Sequence, residues 1–363
     1  MVIAIDLRPL LNETKSGVEV YCDHIIRHLL KNDKKNKYVL FVNSFANKDH
    51  ILNKYKKKNT VLIHTRIPNK IFNLALAIFK KPKLDIFLYR KTGCEIDTFF
   101  FPDLRPAPVS KSCQKVMTVH DLAFKHFPNF FSLKSRLWYL LIKPLKEYKS
   151  CKQLIAVSNF TKKDLIIETS INEKKIITIH EACPDLPQHS SNKKKPAFKY
   201  LFTISTIEPR KNLNRLIEAF SLFKHKNQSK IKLLVAGEKN LKVFSNQKLD
   251  SNEDIVFLGS ISDEEKVFYL KHAEAFIAPS VFEGFGLPIV EAKTFSLPIL
   301  CSNNTSFPEI AGKEAYYFDP HKTKSIEKAL TIFCRSKKAK KSAPLKNNWD
   351  QVAKQTLTVL ASN

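Results

Sequence analysis

Two kinds of hydrophobic pattern alternate along the chain. Short apolar runs occur at Val2–Ile5 (VIAI), Tyr38–Val42 (YVLFV), Thr98–Phe101 (TFFF), Val116–Val119 (VMTV) and Leu154–Val157 (LIAV). Strands covered on both faces read as such runs, whereas half-solvated strands alternate with polar residues. Longer segments with helical spacing lie between them, among them Tyr21–Leu30 and Phe160–Thr169. Strand and helix in alternation predict a parallel sheet with helices on both faces. The same plan restarts after Lys199, with runs at Tyr200–Ser205, Lys232–Gly237, Ile255–Gly259, Ala275–Ser280 and Pro298–Ser302. Between the two sets, Cys183–Phe198 (CPDLPQHSSNKKKPAF) is rich in Pro, Ser and Lys and lacks periodic hydrophobics, as a linker does. The reading is therefore an α/β protein with a first domain over 1–183, a linker over 184–198, a second domain over 199–340 and a C-terminal segment over 341–363. Two doubly wound, Rossmann-like domains are expected to face each other across a cleft, with ligands outside the carboxyl ends of the strands.

Composition adds charge to this picture. The chain has 363 residues, beyond the ~250–300 at which one core stops growing. Its net charge of +27 implies attraction to something anionic, such as phosphorylated substrates, a membrane surface or nucleic acid. A lysine-rich proteome explains the same number equally well. A nucleic-acid binder would show a basic stripe with interleaved aromatics; here the lysines are scattered, as in Lys56–Lys58 and Lys193–Lys195, and no nucleic-acid partner is expected. Seven cysteines without metal-ligand spacing fit free thiols in a reducing compartment. The start, MVIAIDLRPLL, has no basic leader, and no run reaches the ~18 apolar residues of a membrane span. A cytoplasmic protein is expected, with peripheral attachment to the inner face of the membrane left open.

One stretch stands apart chemically. Only 7 of the 363 residues are glycine, yet Glu283–Glu291 (EGFGLPIVE) holds two of them. Pro288 suits the first turn of a helix, where its missing N–H would lack a partner anyway. The helix is expected from about Leu287, with Gly284 and Gly286 in the loop before it. There the backbone N–H groups of Phe285, Gly286 and Leu287, with the helix dipole, make an anion site suited to a diphosphate. Glu291 lies one turn into the helix, and its carboxylate would suit the cis-diol of a ribose rather than a phosphate. Glu283 would reach hydroxyls on the other side. Ribose, diphosphate and sugar in that order describe a nucleotide-sugar. The plain alternative is a loop carboxylate, Glu283, with Glu291 merely sitting near the helix dipole.

With these residues in place, the chain resembles the retaining glycosyltransferases of family 4, which have the GT-B fold. The resemblance runs through SVFEGFGLPIVEA, LPIL and Thr305–Pro320 (TSFPEIAGKEAYYFDP), and through Thr203–Phe220 (TISTIEPRKNLNRLIEAF). It extends to Phe99–Val109, Val119–Ser132 and Asn348–Leu360, and points to the bacterial mannosyltransferase-like branch. It implies that the C-terminal helix crosses back to the first domain. It implies that Arg210 and Lys211 reach the donor diphosphate, that Glu283 contacts the donor sugar, and that Phe285–Leu287 and Glu291 hold diphosphate and ribose. His120 matches a histidine that faces the transferred sugar, and Gly17 belongs to the loop near the donor phosphates. Asp121 and Ser158 also read as helix caps, beside Asn159 in a family turn, and Glu208 as structural.

The chain departs from the family pattern at three places. Glu19 stands where a second glycine is common and would repel a diphosphate if it pointed inward. Phe295 and Ser296 replace small residues, and Ser205 replaces a glycine. The resemblance implies hexose transfer, of mannose in the branch named, from a GDP- or UDP-hexose to a glycan or lipid-linked acceptor in cell-surface polysaccharide synthesis. No metal or other cofactor is expected, because basic side chains can replace the ion and no DxD motif occurs. Asn69–Lys83 (NKIFNLALAIFKKPK), apolar with lysines at both ends, reads either as a packed helix or as one that meets an anionic headgroup layer. A nucleotide-sugar epimerase of the same fold and a non-catalytic homologue are the alternative functions.

Overall fold

All ten apolar runs form strands. In the first half these are β1 (Val2–Asp6), β2 (Lys37–Asn43), β4 (Thr98–Phe101), β5 (Gln114–Val119) and β6 (Gln153–Ala156); β3 (Thr60–Thr65) and β7 (Ile176–Thr178) complete a seven-stranded sheet. In the second half β8 (Tyr200–Ile204), β9 (Lys232–Ala236), β10 (Ile255–Gly259), β11 (Ala275–Ala278) and β12 (Ile299–Ser302) are joined by β13 (Tyr316–Phe318). The orders are β3-β2-β1-β4-β5-β6-β7 and β10-β9-β8-β11-β12-β13, and the strands pair in parallel throughout, β1 with β4 and β8 with β11 included. Both sheets therefore reverse direction of winding beside their first strand. That places the two crevices at the carboxyl ends of β1/β4 and of β8/β11.

This computed structural model describes residues 1–11, 16–46, 48, 52–191, 193–205, 208–237, 253–336 and 339–362. Lys15 of the first loop, Asn192 of the linker segment, and Thr206 and Ile207 before Arg210 thus lie outside the described residues. The chain divides into two compact units, one of residues 1–126, 133–182 and 347–363, the other of residues 127–132 and 183–346.

In the first unit, helices α1 (Gly17–Asn32), α2 (Asn69–Leu74), α3 (Leu84–Thr92), α4 (Ala123–His126), α5 (Leu133–Ile142), α6 (Pro144–Lys149) and α7 (Asn159–Thr169) connect the strands. A π-helical turn, Ala75–Phe79, continues α2. Alternate strand residues feed two cores: Ile3, Ile5, Leu40 and Val42 pack with Ile25 and Leu29 of α1, while Ala4, Val39, Phe41 and Phe99 pack with Phe72 and Leu88. Both faces are dry, which is why these strands lack polar alternation. In the second unit α8 (Leu213–Asn227), α9 (Asp263–His272), α10 (Leu287–Thr294), α11 (Phe307–Ala311) and α12 (Thr323–Arg335) fill the same roles, with Leu216, Phe220 and Phe223 of α8 against Leu233, Ile277 and Leu300. The last helix, α13 (Trp349–Leu360), belongs to the first unit. Its Trp349 ring stacks on His24 at 5.0 Å, its Asp350 accepts from Asn32 Nδ2 at 2.7 Å and meets His28 Nδ1 at 2.6 Å, and the Leu360 carbonyl accepts from Thr98 Oγ1. No helix among the described residues is long and apolar enough to cross a membrane.

Candidate active site

The carboxyl end of β11 is where the second sheet gathers its charges. Downstream of β8, Pro209–Lys211 form a single 3-10 turn, with Asn212 in the left-handed region at φ 57°. Asn212 Nδ2 donates to the Pro279 and Pro320 carbonyls at 3.1 and 2.8 Å, fixing this turn to the end of β11. Arg210 and Lys211 consequently converge on one carboxylate. Arg210 Nη1 lies 2.8 Å from Glu283 Oε2 and Lys211 Nζ 2.6 Å from Glu283 Oε1; Arg210 Nη2 reaches Glu208 at 2.8 Å. Burial alone would raise the Glu283 carboxyl, but Arg210 and then Lys211 outweigh it and hold the group at about 2.

That displacement has a sign that can be checked. A carboxyl at about 2 in the folded chain, against ~4.3 when unfolded, means the folded state binds fewer protons. The stability it contributes is complete above about pH 5 and is lost as pH falls from there towards 2. Urea midpoints measured across this range should fall less steeply for Glu283→Gln than for the wild type. Parallel curves for the two proteins would contradict the assignment.

The loop from Val281 to Gly286 is held from below by α11 and the residues before it. Asn304 Nδ2 donates to the Val281 carbonyl at 2.8 Å, and the single Ser306 hydroxyl proton is shared by the Glu283 and Phe285 carbonyls at 3.0 and 2.9 Å. Gly286 takes φ +107°, and a Cβ there would come within 2.8 Å of the Phe307 ring. α10 starts at Leu287 with Pro288 in its first turn, and the Ile289 N–H closes on the Gly286 carbonyl at 3.0 Å. The first N–H groups of any helix have no acceptor within it. One turn on, Glu291 is buried, and its Oε1 accepts from Lys266 Nζ of α9 at 2.8 Å. Burial raises the Glu291 carboxyl, against the pull of the Lys266 ammonium. Among the described residues Glu291 Oε2 accepts no hydrogen bond.

Four further polar atoms at this edge are buried without a partner among the described residues: Ser205 Oγ after β8, and Ser302 Oγ, Asn304 Oδ1 and Thr305 Oγ1 at and after β12. A buried polar group costs about 1–3 kcal/mol when left unpaired, so four such atoms at the carboxyl ends of β8 and β12 mark an edge suited to receiving polar atoms. Lys266, Ser302, Asn304 and Ser306 were not singled out in the sequence, and Ser205 was noted there only as a replaced glycine. Lys266 sits in a charged stretch, DEEK, that reads as a solvated helix start, and only the fold brings it to Glu291.

His120 and Gly17 lie in the first unit. His120 follows β5; its Nε2 donates to the Pro102 carbonyl at 3.0 Å and its Nδ1 lies 3.6 Å from Glu181 Oε1. Burial lowers the imidazole, but the Glu181 carboxylate more than compensates and brings it to about 9. Its ring meets Tyr21 of α1 edge-on at 4.8 Å, so the helix opened by Gly17 and the histidine are neighbours. Gly17 itself is exposed. Glu19 is turned back on its own helix: its carboxylate accepts from the Ser16 N–H at 2.9 Å and from the Ser16 hydroxyl, a capping box. Ser158 accepts from the Thr161 N–H and Asp121 from the Ala123 N–H, so both act as caps.

Comparison with known proteins gives a consistent pattern. The family described as Glycosyl transferases group 1 matches residues 185–356. The O-antigen chain mannosyltransferase B of Escherichia coli is 29% identical over 224 residues, 58% of this chain and 58% of that protein. The O-antigen chain mannosyltransferase RfbU of Salmonella typhimurium is 28% identical over 60% of each. The chain thus matches less than two thirds of the length of either relative. Among solved structures, Anabaena Alr3699/HepE in complex with UDP and glucose superposes with a TM-score of 0.63 over 99% of both chains at 13% identity, a likeness of fold.

Proposed function

Taking as premise that this chain belongs to the group 1 glycosyl transferases and has the GT-B fold, we propose that it transfers a hexose, mannose by analogy with its named relatives, from a nucleoside-diphosphate sugar to a glycan or lipid-linked acceptor of the cell surface, with retention of anomeric configuration. The observation that carries this reading is the convergence of Arg210 and Lys211 on Glu283, directly before the glycine turn that opens α10. In the proposed complex the two cations turn to the diphosphate, and Glu283, freed from part of their pull, accepts from hydroxyls of the sugar. The amides from Phe285 to Leu287 face the phosphates, and Glu291 Oε2 accepts from the ribose while Lys266 holds its other oxygen. His120 contributes from the first unit as a partner of the transferred sugar.

The bond from the anomeric carbon to the phosphate oxygen breaks with positive charge building on the sugar ring. The leaving phosphate takes the acceptor's proton as the acceptor oxygen joins the same face. Negative charge then accumulates on the diphosphate, where Arg210, Lys211 and the amides stabilise it. Because these cations are fixed in the chain, no metal is required, and chelators should leave the rate unchanged. The acceptor is proposed to reside at a membrane, contacted by the apolar, lysine-flanked Asn69–Lys83.

Thermal stabilisation by GDP, UDP and ADP, and by their hexose conjugates, tests the donor site directly. One nucleotide family should raise the melting temperature, and Glu291→Ala should weaken that response at least tenfold in ligand concentration, since a carboxylate that accepts from ribose is lost. No response to any of them would remove the reading. Product anomeric configuration by NMR tests retention, and nucleotide release that depends on acceptor separates transfer from epimerisation.

A further inference from the structure

A second constellation lies wholly within the first unit. At the amino-terminal ends of β5, β6 and β7 a cavity of about 780 Å³ is lined by eight lysines and one carboxylate. That carboxylate, Glu147, is already shared between Lys80 and Lys115. Lys83, Lys111, Lys146, Lys149, Lys152 and Lys175 remain, and none of the six pairs with a carboxylate among the described residues. So many like charges around one bowl repel one another unless an anion sits among them. Ligands of doubly wound sheets bind at the opposite, carboxyl edge, so this bowl is a separate feature of the fold.

Two apolar ridges run into it. α5 exposes Leu133 by 75%, Leu137 by 66% and Leu140 by 70%, at i, i+4 and i+7. On its other side Tyr139 stacks on Phe124 at 4.9 Å and Ile142 is buried, so the leucine face points away from the core. α2 and the π-helical turn bury Phe72, Leu76 and Ala77 but expose Ile71, Leu74, Ile78 and Phe79. The turn touches α5. Phe79 leads directly into Lys80, and Leu140 into Lys143 and Lys146. Seven large apolar side chains on two adjoining segments, rimmed by lysines, mark an interaction surface.

We propose that this face docks the first unit on an anionic phospholipid bilayer, the leucine and Ile71–Phe79 ridges entering the acyl boundary and the lysine bowl taking the phosphates of the headgroups. It refines the membrane contact proposed above and rests on that reading for its biological purpose. A free phosphate or sugar phosphate would fill the bowl and leave both ridges wet. Nucleic acid would do the same. A second copy of the chain brings its own excess positive charge, +27, to a surface already positive. An anionic bilayer satisfies the charge and the apolar surface together.

The test uses the full chain with neither donor nor acceptor, sedimented with vesicles of phosphatidylcholine alone and with vesicles containing roughly a third phosphatidylglycerol. Binding is expected to the anionic vesicles only and to weaken with salt. Lys146→Glu with Lys149→Glu should lower it roughly tenfold or more, and Leu137→Ser with Leu140→Ser should remove the part that survives high salt. Far-UV circular dichroism and transfer to a water-soluble acceptor should be unchanged in both variants. Equal binding to the two vesicle types, or to neither, overturns the proposal. So does stabilisation by inorganic phosphate without vesicle binding, or a dimer that the serine variant dissociates. Vesicle binding by a protein that fails to transfer sugar would overturn the catalytic reading alone.

Discussion

Arg210→Ala is expected to lower kcat/KM by about 10²–10³, the usual loss when one charged donor to a developing oxyanion is removed. The same change takes a fork from Glu283 and from the Phe282 carbonyl, to which Arg210 Nη1 donates at 3.0 Å. Glu283 would then keep Lys211 and the Ser280 hydroxyl but lose its strongest cation, and its carboxyl would rise from about 2 towards the ordinary range. Arg210→Lys keeps a charge but loses the fork that lets one guanidinium reach Glu208 and Glu283 together. It should therefore recover only part of the rate. Steady-state kinetics on a soluble acceptor, beside melting temperatures, separate the two effects. A variant with a lowered melting temperature and unaltered kcat/KM would reduce Arg210 to a strut for the loop.

The same cluster shows how far sequence could be read. The ten strands seen as apolar runs are mostly central, buried on both sides, and need no partner to be recognised. Those missed are β3, β7 and β13, each at the edge of its sheet. β3 is half-buried along its whole length, and β7 and β13 are three residues long. An edge strand has one neighbour and a wet side, so its pattern fades into that of a loop. The segment expected as one helix over Asn69–Lys83 breaks at Leu74 into a π-helical turn, a change of register that leaves the hydrophobic spacing almost unaltered.

The site divides along the same line. Glu283, the glycines, Pro288 and Glu291 are local chemistry within nine residues, and their spacing alone placed them on a loop and a helix start. Lys266 lies 25 residues before Glu291 and Ser306 21 residues after Phe285, and both meet their partners only because α9, α10 and α11 pack together. Glu19 carries the converse lesson. A carboxylate in a phosphate loop reads as repulsive, but three residues after Ser16 it is placed to close a capping box, and there its charge favours the helix start instead.

Gly286→Ala should be the most damaging single change in the second unit that alters no charge. At φ +107° any L side chain is strained, by roughly 1–2 kcal/mol in the left-handed region. The new methyl would also stand 2.8 Å from Phe307 Cε1, and that ring is buried with little room to move. Relief requires the turn to swing, and the turn carries the Glu283 and Phe285 carbonyls that Ser306 holds. Donor-induced stabilisation should fall by more than tenfold, and melting temperature should fall as well. Combining Gly286→Ala with Phe307→Leu shortens the obstructing ring while leaving the backbone strain. Donor binding should then return in part and melting temperature should not return fully. Recovery of both to wild-type values would assign the whole effect to the ring. Unchanged donor stabilisation in Gly286→Ala itself would mean that the nucleotide-sugar does not sit on this turn at all.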